Sequence, residues 1–261
     1  MHLELATNQR AWDIVAPGFR GACALPTWGP FDVCKDRDLL GDIGGQTVLE
    51  VACGSGHSLS YLMHKDVKKA YGLDFSATQL AFATELNREA IEADRIQLMH
   101  SPMEHSIDIQ PVDLIVSVYA MGWTRDPQAL FRNLWSYLKP GGRLVWSWGH
   151  QLFDSVQYEN ERFVLHKSYF DETPYFSPSW GGSKGVYMQH RTIATWFRHQ
   201  IEAGFLVRNF LEPQPLSTAD APDDPTRYYS AAKANHIPGT IVFHCEKPCP
   251  SQNAPPVDLA G

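Results

Sequence analysis

A turn of small residues constrains the fold of this chain more than any other feature of its sequence. The turn lies in the segment VLEVACGSGH, residues 48–57, between an apolar run and a helical pattern. Gly54 and Gly56 let the backbone approach a ligand closely, and free N–H groups at the start of the following helix favour an electron-rich group. Glu50 falls near the carboxyl end of the predicted strand, where open α/β sheets bind their ligands. The segment therefore predicts a strand, a ligand-binding turn and a helix.

The turn lacks the third glycine of the dinucleotide-binding fingerprint. That glycine would stand three residues after Gly56, where the chain has Leu59. A pyrophosphate site is therefore disfavoured, and a strand–helix turn without a ligand stays an alternative. Asp74 closes the next predicted strand about 24 residues after Glu50, where a carboxylate can accept both hydroxyls of a ribose. Since Ser76 fits the N-cap of the next helix, Asp74 is predicted to be available to a ligand; capping by Asp74 is the alternative.

Short β-rich runs alternate with helical patterns from residue 46 onward. The first five predicted strands are 46–51, 68–73, 95–99, 112–118 and 143–148. Such alternation predicts an α/β fold with a mainly parallel sheet and helices on both faces. Three helices are predicted to begin at Ser76, at Asp126-Pro127 and at Thr192. Their predicted apolar faces carry Phe82, Leu86 and Ala90; Leu130, Leu134 and Leu138; and Ile193, Phe197 and Ile201.

Three segments lie outside this alternation. Residues 1–45 resemble helical pieces broken at 24–30, and residues 151–190 form a connection of a length that is uncommon unless functional. Residues 251–261 are polar and contain proline, so we expect them to be disordered. The sequence thus predicts a single domain over 1–250. Its parts are an N-terminal helical cap (1–45), a core (46–150), an inserted lid (151–190) and the C-terminal part of the core (191–250).

The charge balance argues against a nucleic-acid partner. The chain has 22 basic and 29 acidic residues, a net charge of −7, whereas affinity for nucleic acid depends mainly on neutralising phosphates. No segment approaches the ~20 apolar residues that span a bilayer, and no signal peptide is visible, so no membrane partner is expected. The five cysteines match no zinc spacing, which predicts no metal site and fits reduced thiols in the cytoplasm.

The motifs together resemble those of class I S-adenosylmethionine-dependent methyltransferases, in the small-molecule group that contains the ubiquinone and menaquinone methyltransferases. VLEVACGSG is similar to the family's first motif, with Ala52 where glycine is common. The resemblance implies a Rossmann-like, seven-stranded sheet in the order 3-2-1-4-5-7-6, with strand seven antiparallel. The other matching segments are SPME at 101–104, DLIVS at 113–117, LKPGG at 138–142, AGF at 203–205 and the run at 240–245.

The resemblance also implies S-adenosylmethionine as the cofactor and gives roles to individual residues. The backbone of 52–56 would pack against the methionine part, Asp74 would hold the ribose, and Phe75 would lie against the adenine. The cofactor-binding residues predicted in this way are Glu50, Ala52, Cys53, Gly54, Gly56, Asp74, Phe75, Gln79, Ser101, Met103 and Ser117.

Methyl transfer needs two aligned reactants and the exclusion of water, and it needs a base only when the acceptor must lose a proton. Histidine suits that task because its pKa lies near the working pH. Among 11 histidines, His150 follows the fifth predicted strand and His190 ends the insert. These two are the predicted catalytic residues, and a hydrogen-bonded position in a pocket wall or core is the alternative for each.

Aromatic residues concentrate in the insert and near the expected mouth of the site. They predict a pocket for a flat, largely apolar acceptor, although a small separate core under the insert is the alternative. The predicted function is methyl transfer to oxygen or nitrogen of a small aromatic secondary metabolite, by a monomer or homodimer. An RNA or protein methyltransferase and an inactive cofactor-binding subunit are the alternatives. The residues predicted to bind the acceptor are Trp12, Phe19, Trp28, Tyr119, Trp123 and Tyr175.

Overall fold

Seven strands form the central sheet in the computed structural model, which describes residues 2–34, 39–218 and 224–250. The strands in chain order are β1 (Thr47–Val51), β2 (Lys69–Asp74), β3 (Ile96–His100), β4 (Val112–Ser117), β5 (Leu138–Gly149), β6 (Val156–Glu159), β7 (Arg162–Leu165), β8 (Tyr175–Ser177), β9 (Val186–Met188), β10 (Leu206–Leu211) and β11 (Thr240–Glu246). The α-helices are α1 (His2–Val15), α2 (His57–His64), α3 (Ala77–Leu86), α4 (Arg88–Glu92), α5 (Pro127–Tyr137), α6 (Gln151–Ser155), α7 (Ile193–Glu202) and α8 (Ala231–Ala234).

The central sheet has the order β3-β2-β1-β4-β5-β11-β10. Strands β1 to β5 pair in parallel, whereas β11 is antiparallel to both β5 and β10. The predicted Rossmann-like order 3-2-1-4-5-7-6 is thereby confirmed, with β10 and β11 as its sixth and seventh strands. The order reverses between β1 and β4, and the crevice at the carboxyl ends of such strands is where open α/β sheets bind ligands.

Side-chain caps begin the helices that the sequence predicts. The Ser76 hydroxyl accepts a hydrogen bond from the Gln79 N–H, Asp126 accepts from Ala129, and Thr192 accepts from Thr195. Each cap satisfies an N–H group that has no partner within its helix. The predicted apolar face of α5 is confirmed at Leu130 and Leu134, which are fully buried; Leu138 is buried too, but it is the first residue of β5.

Two other predicted apolar faces are wrong in part. Leu86 is 46% exposed and Ile201 is 48% exposed, so both lie on the solvent side of their helices. The buried positions are polar instead: the Asn87 amide donates to the Gly56 carbonyl at 3.0 Å, and Gln200 accepts from the Trp146 indole at 3.0 Å. Burying an amide side chain costs little free energy when its hydrogen bonds are satisfied. The spacing of apolar residues alone therefore does not predict which side of such a helix is buried.

The N-terminal segment and the insert meet at the carboxyl edge of the sheet. The insert contains two hairpins, β6/β7 and β8/β9, rather than a structureless loop. Asn8 on α1 both donates to and accepts from the backbone of Tyr187 on β9, at 2.9 and 2.8 Å. Asp13 accepts from the Ser76 hydroxyl at 2.6 Å, which fixes α1 to the start of α3.

The predicted disordered tail, 251–261, lies outside the described residues. Within the described part of the chain, no helix combines the length and the apolar character that crossing a membrane requires.

Candidate functional site

A cavity of about 560 Å³ opens at the carboxyl edge of the sheet, between the turn after β1, the N-terminal segment and the insert. Its volume is ordinary for a site that encloses small molecules. The structure brings most of the predicted site residues to this one cavity: Trp12, Phe19, Ala52, Cys53, Gly54, Asp74, Phe75, Gln79, Met103, Tyr119, Trp123, His150, Tyr175 and His190.

The two glycines of the turn differ in what surrounds them. Both have a positive φ, 51° at Gly54 and 77° at Gly56. A Cβ added at Gly54 would meet nothing nearer than the Gln79 side chain at 3.8 Å, so its backbone is open to the cavity. A Cβ added at Gly56 would lie 2.6 Å from the Asn87 amide and 2.8 Å from the Ala83 Cβ. Gly56 does not line the cavity; it allows α2 and α3 to pack closely, which corrects its predicted contact with the cofactor.

We expect Gly56→Ala to lower the free energy of unfolding by about 2–3 kcal/mol, because overpacking adds to the strain of a positive φ. Gly54→Ala is the matched control, since it has the same backbone requirement without the clash. It should cost about 1 kcal/mol in stability and act mainly on ligand binding. Denaturant unfolding of both variants measures the difference. Equal losses at the two positions would contradict the packing role of Gly56.

Asp74 ends β2 and is almost fully buried at the cavity. Its Oδ2 accepts from the Gly54 N–H and its Oδ1 from the Ser76 N–H, both at 2.8 Å. The carboxylate therefore holds the turn together, which the sequence did not predict, and it keeps part of its acceptor capacity for a ligand. Burial raises the pKa of Asp74 to about 6, against the lowering effect of these backbone hydrogen bonds. It is ionised at neutral pH.

Glu50 lies on β1 two residues before Ala52 and does not line the cavity. Burial raises its pKa to about 8, opposed by a hydrogen bond with Ser58. Its Oε2 has no hydrogen-bond partner among the described residues, and neither has Oε1 of Gln79, which does line the cavity. Buried acceptors without donors are rare, so the Gln79 oxygen, which does line the cavity, fits a ligand that brings an N–H group, such as an ammonium.

Three further predicted residues lie away from the main cavity. Ser117 is buried and its hydroxyl donates to the Val51 carbonyl at 3.0 Å, so it joins β4 to β1 instead of contacting a ligand. Trp28 is buried in the hydrophobic core with Val33 and Val118, and it does not reach the predicted acceptor site. Ser101 lines a small adjoining cavity, where Phe75 and Met103 also lie.

Aromatic rings from the N-terminal segment, the insert and the loop after β4 line the same cavity. Trp180 of the insert lies 4.8 Å from Trp12, 5.4 Å from Phe19 and 5.0 Å from Trp123, measured between ring centroids. We call these four residues the aromatic cluster. Trp148 continues it at 6.1 Å from Trp123. Sequence reasoning favoured the insert aromatics as a group but had no signal for Trp148, which belongs to β5.

The two predicted catalytic histidines differ in their contacts. Nδ1 of His150 accepts from the Leu152 N–H at 2.9 Å, and its Nε2 lies 2.7 Å from a Glu212 oxygen. Burial lowers the pKa of His150, against the raising effect of Glu212. Both ring nitrogens are thus occupied in the neutral form, and His150 caps α6. This arrangement disagrees with a role as the base.

His190 belongs to a cluster of polar side chains from the insert. Its Nε2 lies 2.5 Å from Asp154 Oδ2 and 2.8 Å from the Tyr175 hydroxyl, and it contacts Lys167 Nζ. Lys167 also lies 2.5 Å from Asp154 Oδ2. Burial alone would raise the pKa of Asp154, but hydrogen bonds from His190 and Lys167 hold it at about 2. Sequence reasoning missed Asp154, and it also missed His57, which lines the cavity beside Ser55.

Comparison with known proteins shows which protein class the central part of the chain resembles. Residues 49–146 match the family model described as a methyltransferase domain. The chain is 31% identical over 101 residues to phosphoethanolamine N-methyltransferase 1 of Arabidopsis thaliana, covering 39% of this chain and 20% of that protein. It is 27% identical over 109 residues to the tRNA U34 carboxymethyltransferase of Idiomarina loihiensis, covering 41% and 33%. The chain thus spans a third or less of these two curated relatives.

A solved structure extends the likeness to most of the fold. The crystal structure of an S-adenosylmethionine dependent methyltransferase from Mesorhizobium loti superposes with a TM-score of 0.65 at 23% identity, covering 80% of this chain and 94% of that one. Residues 49–146 thus match a methyltransferase domain, and the likeness to this structure extends over the fold. The open backbone at Gly54, the remaining acceptor capacity of Asp74 and the unpaired Gln79 oxygen fit a polar ligand such as S-adenosylmethionine.

Proposed function

We infer that this S-adenosylmethionine-dependent methyltransferase acts on an oxygen or nitrogen of a small aromatic molecule, in the formation of a secondary metabolite. The observation that carries the proposal is the position of the aromatic cluster. Its four rings line the same cavity as Gly54 and Asp74, so a flat acceptor would stack there beside the cofactor. Asp74 would hold the ribose, Phe75 and Met103 would contact the adenine, and Gln79 would lie beside the turn.

The chain's own residues align the reactants and exclude water. When bound, S-adenosylmethionine supplies a methyl group whose bond to sulfur breaks, with its electron pair kept by sulfur, as the acceptor's oxygen or nitrogen bonds the methyl carbon. Trp180 and Trp123 would cover the acceptor and keep water from the charged reactant. His190 would accept the proton that a phenol or a similar N–H acceptor loses. His150 would fix the start of α6.

The two alternative functions are methylation of RNA or protein and cofactor binding without catalysis. The relative from Idiomarina loihiensis is named for tRNA, but the net charge of −7 and the aromatic lining favour a small acceptor here. An inactive cofactor-binding subunit would keep the turn without needing a cluster of rings beside it. Either a monomer or a homodimer could carry out the proposed reaction.

The test is a turnover assay with S-adenosylmethionine and a panel of phenols and N-heterocycles, with release of S-adenosylhomocysteine as the readout. Bulk tRNA and an unfolded protein serve as rival acceptors in the same assay. Methylation of at least one aromatic small molecule, identified by mass spectrometry, is the expected result. Activity only on tRNA or protein would overturn the proposal, and cofactor binding without turnover on any acceptor would favour the inactive subunit.

We expect Trp180→Ala to raise the acceptor KM and lower kcat/KM by about ten- to a hundredfold, because a large stacked surface is lost from the acceptor side. Cofactor affinity should change less than about twofold, since the ring of Trp180 packs against Trp12, Phe19 and Trp123 and makes none of the hydrogen bonds that hold the turn. Phe170→Ala is the matched control, as Phe170 lies in the same insert and is 81% exposed. A loss of stability alone, with unchanged acceptor kinetics, would make the cluster a separate core.

A further inference from the structure

We propose that Arg191 binds a carboxylate of the acceptor, so that this protein acts on aromatic acids. The inference rests on the proposed function, because it names the class of acceptor that the cavity would take. Arg191 follows the insert directly, stands next to the N-cap of α7 and lines the cavity that holds the aromatic cluster. It is only 4% exposed, although arginine is seldom so buried without a partner of opposite charge.

The guanidinium of Arg191 is held beside the aromatic cluster. Its Nη2 donates to the carbonyl of Thr124 at 3.0 Å and to Oε1 of Gln189 at 2.8 Å. Since Thr124 follows Trp123 in the chain, the charge lies next to a ring of the cluster. The guanidinium carbon also lies 5.1 Å from the centroid of the Trp196 ring. These contacts position the charge before any acceptor binds.

The positive charge of Arg191 has no direct counter-charge. Among the described residues, no carboxylate oxygen lies within 4.0 Å of its guanidinium nitrogens, and its buried Nη1 has no hydrogen-bond partner. The nearby acids are engaged elsewhere: Glu172 and Glu104 each accept from a backbone N–H at 2.7 Å, and Asp126 caps α5. A buried charge without a partner is costly, so the site favours a ligand that brings an anion.

A second guanidinium adds to the uncompensated positive charge. Burial and the nearby charge of Arg125 lower the pKa of Arg191 to about 10, against the raising effect of the surrounding acids, and Arg191 stays charged at neutral pH. Arg125 also has a buried Nη1 without a partner among the described residues. Its Nε, however, pairs with Glu4 at 2.9 Å, and it does not line the cavity. Of these two arginines, Arg191 is therefore the one placed to meet an anion in the cavity.

A carboxylate is the anion that matches this site. The planar guanidinium presents its N–H groups in a fork whose spacing fits two carboxylate oxygens. Aromatic rings line the same cavity, so the carboxylate would belong to a flat molecule that stacks on the cluster. The methionine part of the cofactor is a second source of a carboxylate. The position of Arg191 next to Trp123 favours the acceptor instead.

The experiment measures binding to the full chain by calorimetry, with S-adenosylhomocysteine present. The probes are hydroxybenzoic, hydroxycinnamic and indole carboxylic acids, each beside its neutral amide. The wild type should bind at least one acid about tenfold or more tightly than its amide, because a charge-assisted pair forms. In Arg191→Met this preference should fall to within about twofold, since the side chain keeps an apolar stem and loses its charge. Affinity for S-adenosylhomocysteine, titrated alone, should be unchanged in that variant.

Arg125→Met is the matched control. It removes the same charge from a neighbouring buried arginine that has its own ion pair and does not line the cavity. Stability should fall, because Glu4 loses its partner, whereas the preference for the acid over its amide should persist. If Arg191→Met likewise loses stability and keeps that preference, Arg191 has a structural role only and the inference is wrong.

The outcomes separate this inference from the proposed function. Acids that bind the wild type no better than their amides, in every pair, overturn the carboxylate site even if neutral phenols are methylated. A preference for an acid that depends on Arg191, without any methylated aromatic product, keeps the site and refutes the proposed function instead. Weaker binding of S-adenosylhomocysteine by Arg191→Met, with the acid preference retained, assigns Arg191 to the cofactor and overturns its role toward the acceptor.

A second measurement decides if Arg191→Met fails to fold. The wild type is then crystallised with S-adenosylhomocysteine and the acid that binds most tightly. A carboxylate of the acid within about 4 Å of the Arg191 guanidinium supports the inference, and a carboxylate bound elsewhere overturns it.

Discussion

Replacing Asp74 by alanine is expected to weaken the binding of S-adenosylmethionine about a thousandfold, equivalent to about 4 kcal/mol. Two hydroxyl contacts to a charged acceptor would be lost, each worth about 1.5–3 kcal/mol. The structure adds a second cause, because Asp74 also accepts the N–H groups of Gly54 and Ser76 and so holds the turn in shape. Calorimetry with S-adenosylmethionine and with its demethylated product measures the loss.

Asp113→Ala is the control for Asp74→Ala. Asp113 is also bonded to a backbone N–H and lies in a strand, but it faces Thr47 and Lys139 near the start of β4, away from the carboxyl edge. Its loss should affect stability and leave cofactor affinity nearly unchanged. Unchanged cofactor binding in Asp74→Ala, or tight NAD binding by the wild type, would contradict the assignment of the ribose contact.

The pH dependence of stability should be dominated by Glu50. Its pKa is about 8 in the folded protein against an ordinary value of 4.5, so the folded state keeps a proton that the unfolded chain has lost. The stability that Glu50 contributes to the folded state is fully present below pH 4.5 and is lost as pH rises through 8. Asp74, with a pKa of about 6, acts in the same direction over a narrower range.

Glu50→Gln should therefore make the cofactor-free protein more stable than the wild type at pH 9, by about 4 kcal/mol, and should leave it similar at low pH. A neutral amide removes the cost of a buried charge without changing the shape of the side chain. Urea unfolding at pH 4 and pH 9 gives the two differences. Glu246→Gln is the control, since Glu246 pairs with Arg208 at the surface. An identical pH dependence in wild type and Glu50→Gln would refute the buried charge.

The fold could be predicted from the sequence because its determinants are local. Caps at Ser76, Asp126 and Thr192 mark helix starts by residue type alone, and the turn after β1 combines small residues in a pattern with few alternatives. Strand order followed from a resemblance and not from the residues themselves. The faces of α3 and α7 were less predictable, because Asn87 and Gln200 are buried by partners far along the chain.

The site was predictable in the first half of the chain and much less so in the second. Ribose and turn residues sit within 25 positions of one another, so spacing alone locates them. The hydrogen bonding of His150 depends on Glu212, which lies 62 residues later. The contacts of His190 depend on Asp154 and Lys167, which belong to other elements. Trp28 is an aromatic residue of the kind that lines such pockets. The structure instead buries it in the hydrophobic core with Val33 and Val118, which the sequence alone does not reveal.

The hydrogen bonds of α1 have a consequence for recombining this protein with its relatives. Asn8 completes the backbone of β9, and Asp13 completes the start of α3, so one helix is a structural part of both the insert and the cofactor half. A chimera that exchanges only 151–190 would set the incoming hairpin's backbone, at the position of Tyr187, against a first helix from another protein. Exchange of acceptor specificity therefore requires that two segments, the insert and the first helix, be exchanged together.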